Sequence, residues 1–204
     1  MQATQSTSLL YNQFHQPTGY MGKLAGCLMT AKNKSRSDWT VELLDIQPYQ
    51  HILEVGYGTG RTLEEVGMKL KIGFIAGIDH SVLMYQEASR INKRFIREQL
   101  MQLQIGSVSD LNYPPHYFHS IYGSNVHFFW KEPQYEFIQL ARLLKTGGKL
   151  VMVFQPREVN NNQDLHLAGE KIKQEYLEAG LSNVRVEYKE MDPMTCIAAT
   201  GYKL

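Results

Sequence analysis

The stretch ILEVGYGTGRT, residues 52–62, decides the fold predicted for this chain. Its apolar start predicts a buried strand, and Gly56, Gly58 and Gly60 predict a tight turn into a helix. Glycines leave the backbone open to a ligand and allow positive φ, while the N-terminal amides of the helix point into the same space. Such turns also form for purely structural reasons, so a ligand needs independent support.

That support comes from a second apolar strand, FIAGIDHS at residues 74–81, which ends at Asp79, 19 positions after Gly60. An acid at the tip of the second strand of a βαβ unit can accept hydrogen bonds from both ribose hydroxyls. We expect it to face the cleft and to add little to fold stability. Arg61 stands where a dinucleotide turn needs its third glycine, which disfavours a nicotinamide oxidoreductase and favours an adenosine ligand with an amino-acid tail.

The segment from Glu54 to Gly60 resembles the first motif of the class I S-adenosylmethionine-dependent methyltransferases. Segments at 77–84, 106–111, 142–151 and 179–181 resemble later motifs of that family in the same order. The resemblance covers about residues 38–204 and rests on the ordered set. It implies an α/β, doubly wound, mostly parallel seven-stranded sheet with an antiparallel last strand, a Rossmann-like methyltransferase fold with an N-terminal helical lid.

The resemblance also implies S-adenosylmethionine as the cofactor. It implies that the glycine turn surrounds the methionine tail and the ribose, and that residues after the second and third strands surround the adenine. The predicted cofactor-binding residues are Glu54, Gly56, Tyr57, Gly58, Thr59, Gly60, Asp79, His80, Met84, Ser107, Val108 and Asn125. Ser107 replaces the acid that commonly receives the adenine amino group, which predicts modest affinity because a charge-assisted bond is lost.

The methyl acceptor is expected above the ends of the fourth and fifth strands, beside the polar loop 155–163. His127 is the candidate catalytic base there, because its ordinary pKa near 6.5 suits proton removal at neutral pH. A packed histidine at a strand end is the commoner role, and in-line methyl transfer needs positioning more than a base. Phe128 and Trp130 are predicted to contact the substrate, although such aromatic runs usually belong to the core and its rim.

The segment YNQFHQPTGYM, residues 11–21, carries three aromatic rings ahead of the core. We predict a lid in which Tyr11 and Tyr20 cover the cofactor and the acceptor; a disordered lead-in is the alternative. The predicted organisation is a lid and helical segment at 1–36 and an S-adenosylmethionine-binding methyltransferase domain at 37–204, in a single domain overall.

Periodicity and capping signals predict the individual elements. Ser37 is predicted to cap a helix at 38–46. The predicted strands are 51–55, 74–79, 101–105, 119–124, 149–154, 183–190 and 195–202, with helices at 60–71, 81–98, 134–144 and 165–179.

Composition narrows the functional classes. A chain of 204 residues with 43% hydrophobic content can bury one core, and its net charge of +1 gives no general attraction to nucleic acid or membrane. Cys27 and Cys196 fit neither a disulfide framework nor a zinc pattern, and His116 and His119 lack companion ligands, so no metal is expected. The sequence lacks a signal-peptide pattern, and a cytoplasmic location is the default.

The sequence therefore predicts a methyltransferase that moves a methyl group from S-adenosylmethionine to a small-molecule acceptor by in-line displacement. We expect no nucleic-acid or membrane partner, and a monomer or homodimer. Two alternatives stay open: an RNA or protein methyltransferase, and a non-catalytic protein that binds S-adenosylmethionine or S-adenosylhomocysteine.

Overall fold

A computed structural model describes residues 34–156, 159 and 161–204. The predicted lid residues Tyr11 and Tyr20 lie outside the described residues. The first described helix crosses residue 36, where the sequence analysis places the end of the lid segment.

The described residues form a seven-stranded sheet in the order β3-β2-β1-β4-β5-β7-β6. Its strands are β1 (His51–Val55), β2 (Phe74–Asp79), β3 (Met101–Ile105), β4 (Phe118–Ser124), β5 (Leu144–Phe154), β6 (Leu181–Lys189) and β7 (Cys196–Lys203). The first five strands are parallel, and β7 runs antiparallel between β5 and β6. The predicted fold class is confirmed. Strand order reverses between β1 and β4, so a ligand is expected at the carboxyl ends of these two strands.

Helices cover both faces of the sheet. They are α1 (Lys34–Leu44), α2 (Arg61–Lys69), α3 (Val82–Ile91), α4 (Lys93–Arg97), α5 (Pro133–Leu143) and α6 (Asn162–Glu178). Because side chains alternate along a strand, Leu53 packs in the core cluster that contains residues of α5 and α6, whereas Ile52 packs with residues of α1, α2 and α3. Both faces of the sheet are therefore buried, as the long apolar strands predict.

The prediction that Ser37 caps a helix at 38–46 is wrong. Ser37 lies inside α1, and its Oγ is 3.0 Å from Thr62 Oγ1 at the start of α2. Arg36, Trp39 and Thr40 share one face of α1 and are all buried. Packing of this face against the rest of the protein extends the helix toward the N-terminus past the local capping signal.

The single helix predicted at 81–98 is divided at Asn92. The buried side chain of Asn92 donates through Nδ2 to the carbonyl oxygens of Gly60 and Ala88, at 2.9 and 3.0 Å. Asparagine side chains compete for backbone carbonyls in this way and favour turns over helix interiors. The Asn92 side chain therefore ends α3 and holds the glycine turn against it.

His119 lies at the opposite edge of the sheet from the expected ligand. Its Nδ1 accepts a hydrogen bond from the backbone N–H of His51 at 2.9 Å, and Lys145 Nζ is 3.1 Å from its Nε2. Partial burial, together with the charges of Lys145 and His51, lowers the pKa of His119. A protonated ring could not accept from His51 and would face an ammonium group, so the neutral imidazole is part of the folded structure.

We predict that His119 makes stability depend on pH in the weakly acidic range. Because its pKa is lower in the folded than in the unfolded state, its contribution is present above the unfolded value near 6.5 and is lost as the pH falls below it. The slope attributable to one such group is at most about 1.4 kcal/mol per pH unit. Urea unfolding between pH 7.5 and 5 should show a shallower decline for His119→Asn than for the wild type. Parallel pH profiles of the two proteins would contradict the assignment.

Candidate cofactor and acceptor site

The glycine turn is tied to the end of β2. Gly56 N donates to Ile78 O at 2.7 Å, and Gly60 N closes the turn onto Tyr57 O at 2.9 Å. Gly56, Gly58 and Gly60 have φ values of 73°, 51° and 77°, in the left-handed region that glycine adopts without strain. The predicted strand, turn and helix are all present.

The three glycines have different surroundings. A Cβ on Gly56 would lie 2.7 Å from Val126 Cγ2, and one on Gly60 would lie 2.7 Å from Ala88 Cβ, whereas nothing lies within 4 Å of a Cβ on Gly58. Gly56 and Gly60 are therefore required by packing against the protein itself. Gly58 faces open space, so its backbone is the part of the turn that a ligand can approach.

Tyr57 and Thr59 lie between these glycines. The Tyr57 side chain is 4% exposed, belongs to the apolar cluster beneath the turn and donates to Gln104 O at 3.0 Å. It supports the turn from below, which leaves only its backbone for a ligand. Thr59 is half-buried at the tip of the turn.

Asp79 lies beside Gly58, as predicted. Its carboxylate is 7% exposed; Oδ2 accepts from Gly58 N and Oδ1 from Ser81 N, both at 2.9 Å. The carboxylate joins the glycine turn to the start of α3, which argues against the expectation that Asp79 adds little to fold stability. Each oxygen retains a second lone pair for a ribose hydroxyl. His80 is half-exposed next to it, with Nδ1 3.8 Å from Asp79 Oδ1.

Glu54 is buried at the end of β1 and accepts a hydrogen bond from Tyr122 Oη at 2.8 Å. The two residues are register partners on β1 and β4. Burial raises the pKa of Glu54 well above its usual range, an effect that the Tyr122 hydroxyl opposes. A cationic amine placed beside this carboxyl would lower its pKa and form a strong hydrogen bond. Tyr122 is absent from the predicted set, because a single sequence does not reveal strand register.

The predicted adenine contacts follow β2 and β3 along the chain. Met84 and Val108 are buried in different core clusters, and Ser107 is exposed. Ser107 N and Oγ both donate to Asp110 Oδ2 at 2.8 Å, and these bonds lower the pKa of Asp110. A carboxylate is therefore present at this edge three residues after the expected position. The Ser-x-x-Asp spacing, typical of a capping box, is the signal that could have revealed it.

Asn125 is the first residue after β4, on the expected acceptor side of the site. Its hydrogen bonds join the ends of β4 and β5. With φ at 53°, it donates through its backbone N to Val153 O at 3.0 Å, and its Oδ1 accepts from Gln155 N at 2.8 Å. Asparagine is one of the few residues with a side chain that adopt this conformation readily. Its fixed position holds the start of the segment that contains His127.

His127 lies in a short 3₁₀ turn, His127–Phe129. Its ring centroid is 4.3 Å from that of Phe128 and 4.4 Å from that of Phe154. Nδ1 is buried and has no hydrogen-bond partner among the described residues. Burial lowers the pKa of His127 to about 3, so the ring is neutral at physiological pH. Trp130 packs edge-on against Phe137, with centroids 5.0 Å apart.

Arg36, which is absent from the predicted set, lies at the ends of β4 and β5, on the expected acceptor side. It is 5% exposed, and it donates through Nε to Ser124 Oγ and through Nη1 to Gln155 Oε1, both at 2.8 Å. Gln155 Nε2 in turn donates to Met194 O at 2.8 Å. The helical spacing of Arg36 with Trp39 and Thr40 is the signal that could have placed it on the buried face.

A cleft of about 250 Å³ opens beyond the end of β5. Its lining residues are Pro156, Val159, Asn161, Asn162, Leu165, Met194 and Thr195. The loop 155–163 was expected beside the acceptor, whereas the contribution of the segment between β6 and β7 was not.

Within the described part of the chain, no cluster of three or more metal-ligating side chains occurs and no helix is long and apolar enough to cross a membrane.

Comparison with known proteins identifies the family. The profile of a family described as a methyltransferase domain matches residues 53–152, which include the glycine turn, Asp79 and β4. The chain belongs to the class I S-adenosylmethionine-dependent methyltransferases. The methyltransferase YdaC of Bacillus subtilis, itself described as uncharacterized, is 27% identical over 181 residues, which cover 88% of this chain and 98% of that protein.

Solved structures share the methyltransferase fold at low sequence identity. The protein bound to the Trm112 methyltransferase activator of Haloferax volcanii superposes with a TM-score of 0.72 at 16% identity, covering 87% of this chain and 92% of that one. A methyltransferase from Aquifex aeolicus, described as S-adenosylmethionine-dependent, gives a TM-score of 0.65 at 14% identity, with 82% and 89% covered. The predicted family and enzyme class are confirmed. The individual site residues stay predictions.

Proposed function

We propose that this methyltransferase methylates a small-molecule acceptor by in-line displacement. The observation that supports it best is the contact between Gly58, which borders open space, and the Asp79 carboxylate, beside the point where strand order reverses. When bound there, S-adenosylmethionine supplies an activated methyl group on a sulfonium. The residues present suit this cofactor: Gly58 leaves its backbone accessible, Asp79 has lone pairs for ribose hydroxyls, and the buried Glu54 carboxyl can receive an amine.

In this proposal the protein acts mainly by positioning. Asp79 orients the ribose, and the Asn125 bonds fix the end of β4 beside the cleft beyond β5. The His127 ring packs on Phe128 and Phe154 with its Nδ1 buried, so it orients the acceptor by shaping the aromatic wall beside the methyl path. With a pKa of about 3, the ring does not retain a proton near neutrality, so we assign it orientation rather than proton storage.

A small acceptor is favoured over RNA by the surface charges. Arg90 of α3 and Arg94 of α4 are exposed, and they pair with Glu87 and Glu98 at 3.1 and 3.2 Å. Paired cations of this kind form a solvated face rather than a phosphate-binding stripe. With the net charge of +1, this supports a small-molecule partner without nucleic acid or membrane. We further propose a cytoplasmic monomer or homodimer, with Tyr11 and Tyr20 in a lid.

We expect the full-length protein to bind S-adenosylhomocysteine and not NADH, because Arg61 replaces the glycine that a pyrophosphate turn needs. At 100 times its dissociation constant, the ligand should stabilise the fold by about 2.7 kcal/mol. Isothermal titration and thermal unfolding with each ligand measure this directly. Tight binding of NADH with none of S-adenosylhomocysteine would contradict the proposal.

A further inference from the structure

We propose that Arg36 binds an anionic group, a carboxylate or a phosphate, on the methyl acceptor, so that the substrates of this enzyme are small acids. The inference rests on the proposed function and adds the chemical class of the acceptor. Arg36 lies where α1 meets the ends of β4 and β5, and it bonds to Gln155, the residue directly before Pro156 of the cleft beyond β5.

The first argument is the absence of a counterion. Among the described residues, the hydrogen-bond partners of Arg36 are the uncharged Ser124 and Gln155. A guanidinium that is 5% exposed is costly to bury without an anion. Residues 1–33 contain no Asp or Glu, and Glu158 is the single acid outside the described residues. An anionic ligand would therefore complete the charge balance of this site.

The second argument is that the guanidinium is already oriented and has donors to spare. Ser124 Oγ holds Nε, Gln155 Oε1 holds Nη1, and Met194 O fixes the Gln155 amide. A guanidinium has five N–H donors, so further donors are left for a bidentate contact with a carboxylate or phosphate. Holding the fork in place before binding reduces the entropy that the contact costs.

The third argument concerns location: Gln155, the Nη1 partner of Arg36, lies far from the ribose position at Asp79 and next to the cleft. Asp79 follows β2, whereas Gln155 follows β5, three strands away and about 14 Å distant at the usual strand spacing. In the proposed cofactor site, the N-terminus of α2, which Gly60 caps without a side chain, is available to the carboxylate of the cofactor. The cleft, in contrast, begins at Pro156, directly after Gln155, and is also lined by Met194.

Arg36 also lies close to the expected path of the transferred methyl group. Ser37, the next residue of α1, contacts Thr62 at the start of α2, so Arg36 lies between the glycine turn and Gln155 at the end of β5. An anion bound by Arg36 would hold one end of the acceptor at β4 and β5 while its nucleophilic end points toward the turn. Binding energy far from the reacting atom would then set the orientation of attack.

The test compares matched acceptors with full-length protein. Pools of small carboxylic acids and their primary amides, and of phosphomonoesters and their parent alcohols, are incubated with methyl-labelled S-adenosylmethionine and analysed by mass spectrometry. We expect labelling of one or both charged pools and none of their neutral counterparts. The pool that is labelled distinguishes carboxylate from phosphate. Equal labelling of neutral counterparts would overturn the inference while leaving the proposed function intact; no transfer to any pool and no binding of S-adenosylhomocysteine would overturn both.

Variants of Arg36 then test the residue. Arg36→Gln should raise the KM of a charged acceptor about 100-fold, the scale for losing one partner of a buried charge pair. Arg36→Lys keeps the charge, so its KM for the charged acceptor should lie between those of the wild type and Arg36→Gln. This second variant keeps the test valid if Arg36→Gln fails to fold. The affinity for S-adenosylhomocysteine should change less than about threefold, as for a residue outside the cofactor site. Unchanged KM in Arg36→Lys and Arg36→Gln would overturn the proposal.

Two controls exclude other partners for Arg36. If Arg36→Gln weakened S-adenosylhomocysteine but not 5′-methylthioadenosine, which lacks the amino-acid tail, Arg36 would bind the carboxylate of the cofactor and the proposal would be wrong. Glu158→Gln should leave the KM of the charged acceptor unchanged. If this variant instead lost as much thermal stability as Arg36→Gln, with no additional loss in the double mutant, Glu158 would be the counterion and the proposal would likewise fail.

Discussion

Replacing Asp79 with alanine is expected to weaken binding of S-adenosylhomocysteine by about 10- to 150-fold. The change removes the acceptor for two ribose hydroxyls, and hydrogen bonds to a charged group contribute about 1.5–3 kcal/mol. It also releases Gly58 N and Ser81 N, so the glycine turn loses its anchor to the start of α3. We therefore expect a further loss of about 1–3 kcal/mol in the free energy of unfolding without ligand.

Isothermal titration and urea unfolding of the same Asp79→Ala preparation measure the two effects. Glu187→Ala is the matched control, since it removes an exposed acid on β6, far from the turn. This control should retain both affinity and stability. An Asp79→Ala protein whose affinity stays within twofold of the wild type would show that the ribose binds elsewhere.

Alanine at Gly60 is expected to destabilise the fold by about 2–5 kcal/mol. The new Cβ would lie 2.7 Å from Ala88 Cβ and 3.0 Å from its Cα, and the backbone φ of 77° is strained for alanine. Overpacking costs about 1–3 kcal/mol and the left-handed conformation about 1–2 kcal/mol. Because the neighbouring atoms belong to a helix, they cannot move aside cheaply.

Gly58 and Gly147 form a matched pair for the same experiment. Both have positive φ and nothing within 4 Å of a new Cβ, so each alanine variant should lose only about 1–2 kcal/mol of stability. Gly58 borders the proposed cofactor site, whereas Gly147 lies in β5, near its start. We expect Gly58→Ala to lose at least about tenfold in affinity for S-adenosylhomocysteine, as a Cβ would exclude close backbone contact. Equal affinities in the two variants would contradict the role of Gly58.

The fold was predictable because strong local signals agreed with one another. The apolar strands before Gly56 and before Asp79, the helix between them and the later motifs occur in the order that a doubly wound sheet requires. Gly58 and Asp79 are indeed adjacent, because both follow parallel neighbouring strands whose carboxyl ends share one edge. Spacing along the chain was sufficient for that inference.

The remaining features depend on contacts between distant parts of the chain. Asn92 bonds to Gly60, and Tyr122 bonds to Glu54, across 32 and 68 positions of sequence. Arg36 is tied to Gln155 across 119 positions, and the packing of its helix face overrides the capping signal of Ser37. Such hydrogen bonds follow from strand order and register, which hydrophobic periodicity alone does not specify.

The central claim, methylation of a small molecule by a cofactor bound at Gly58 and Asp79, is tested most directly by following a labelled methyl group. The full-length protein is incubated with methyl-labelled S-adenosylmethionine and a cell extract, which is then separated into small-molecule, RNA and protein fractions. We predict that the label enters the small-molecule fraction and that Asp79→Ala reduces this transfer sharply at limiting cofactor. Label confined to RNA or protein, or no transfer by a preparation that binds S-adenosylhomocysteine, would contradict the claim.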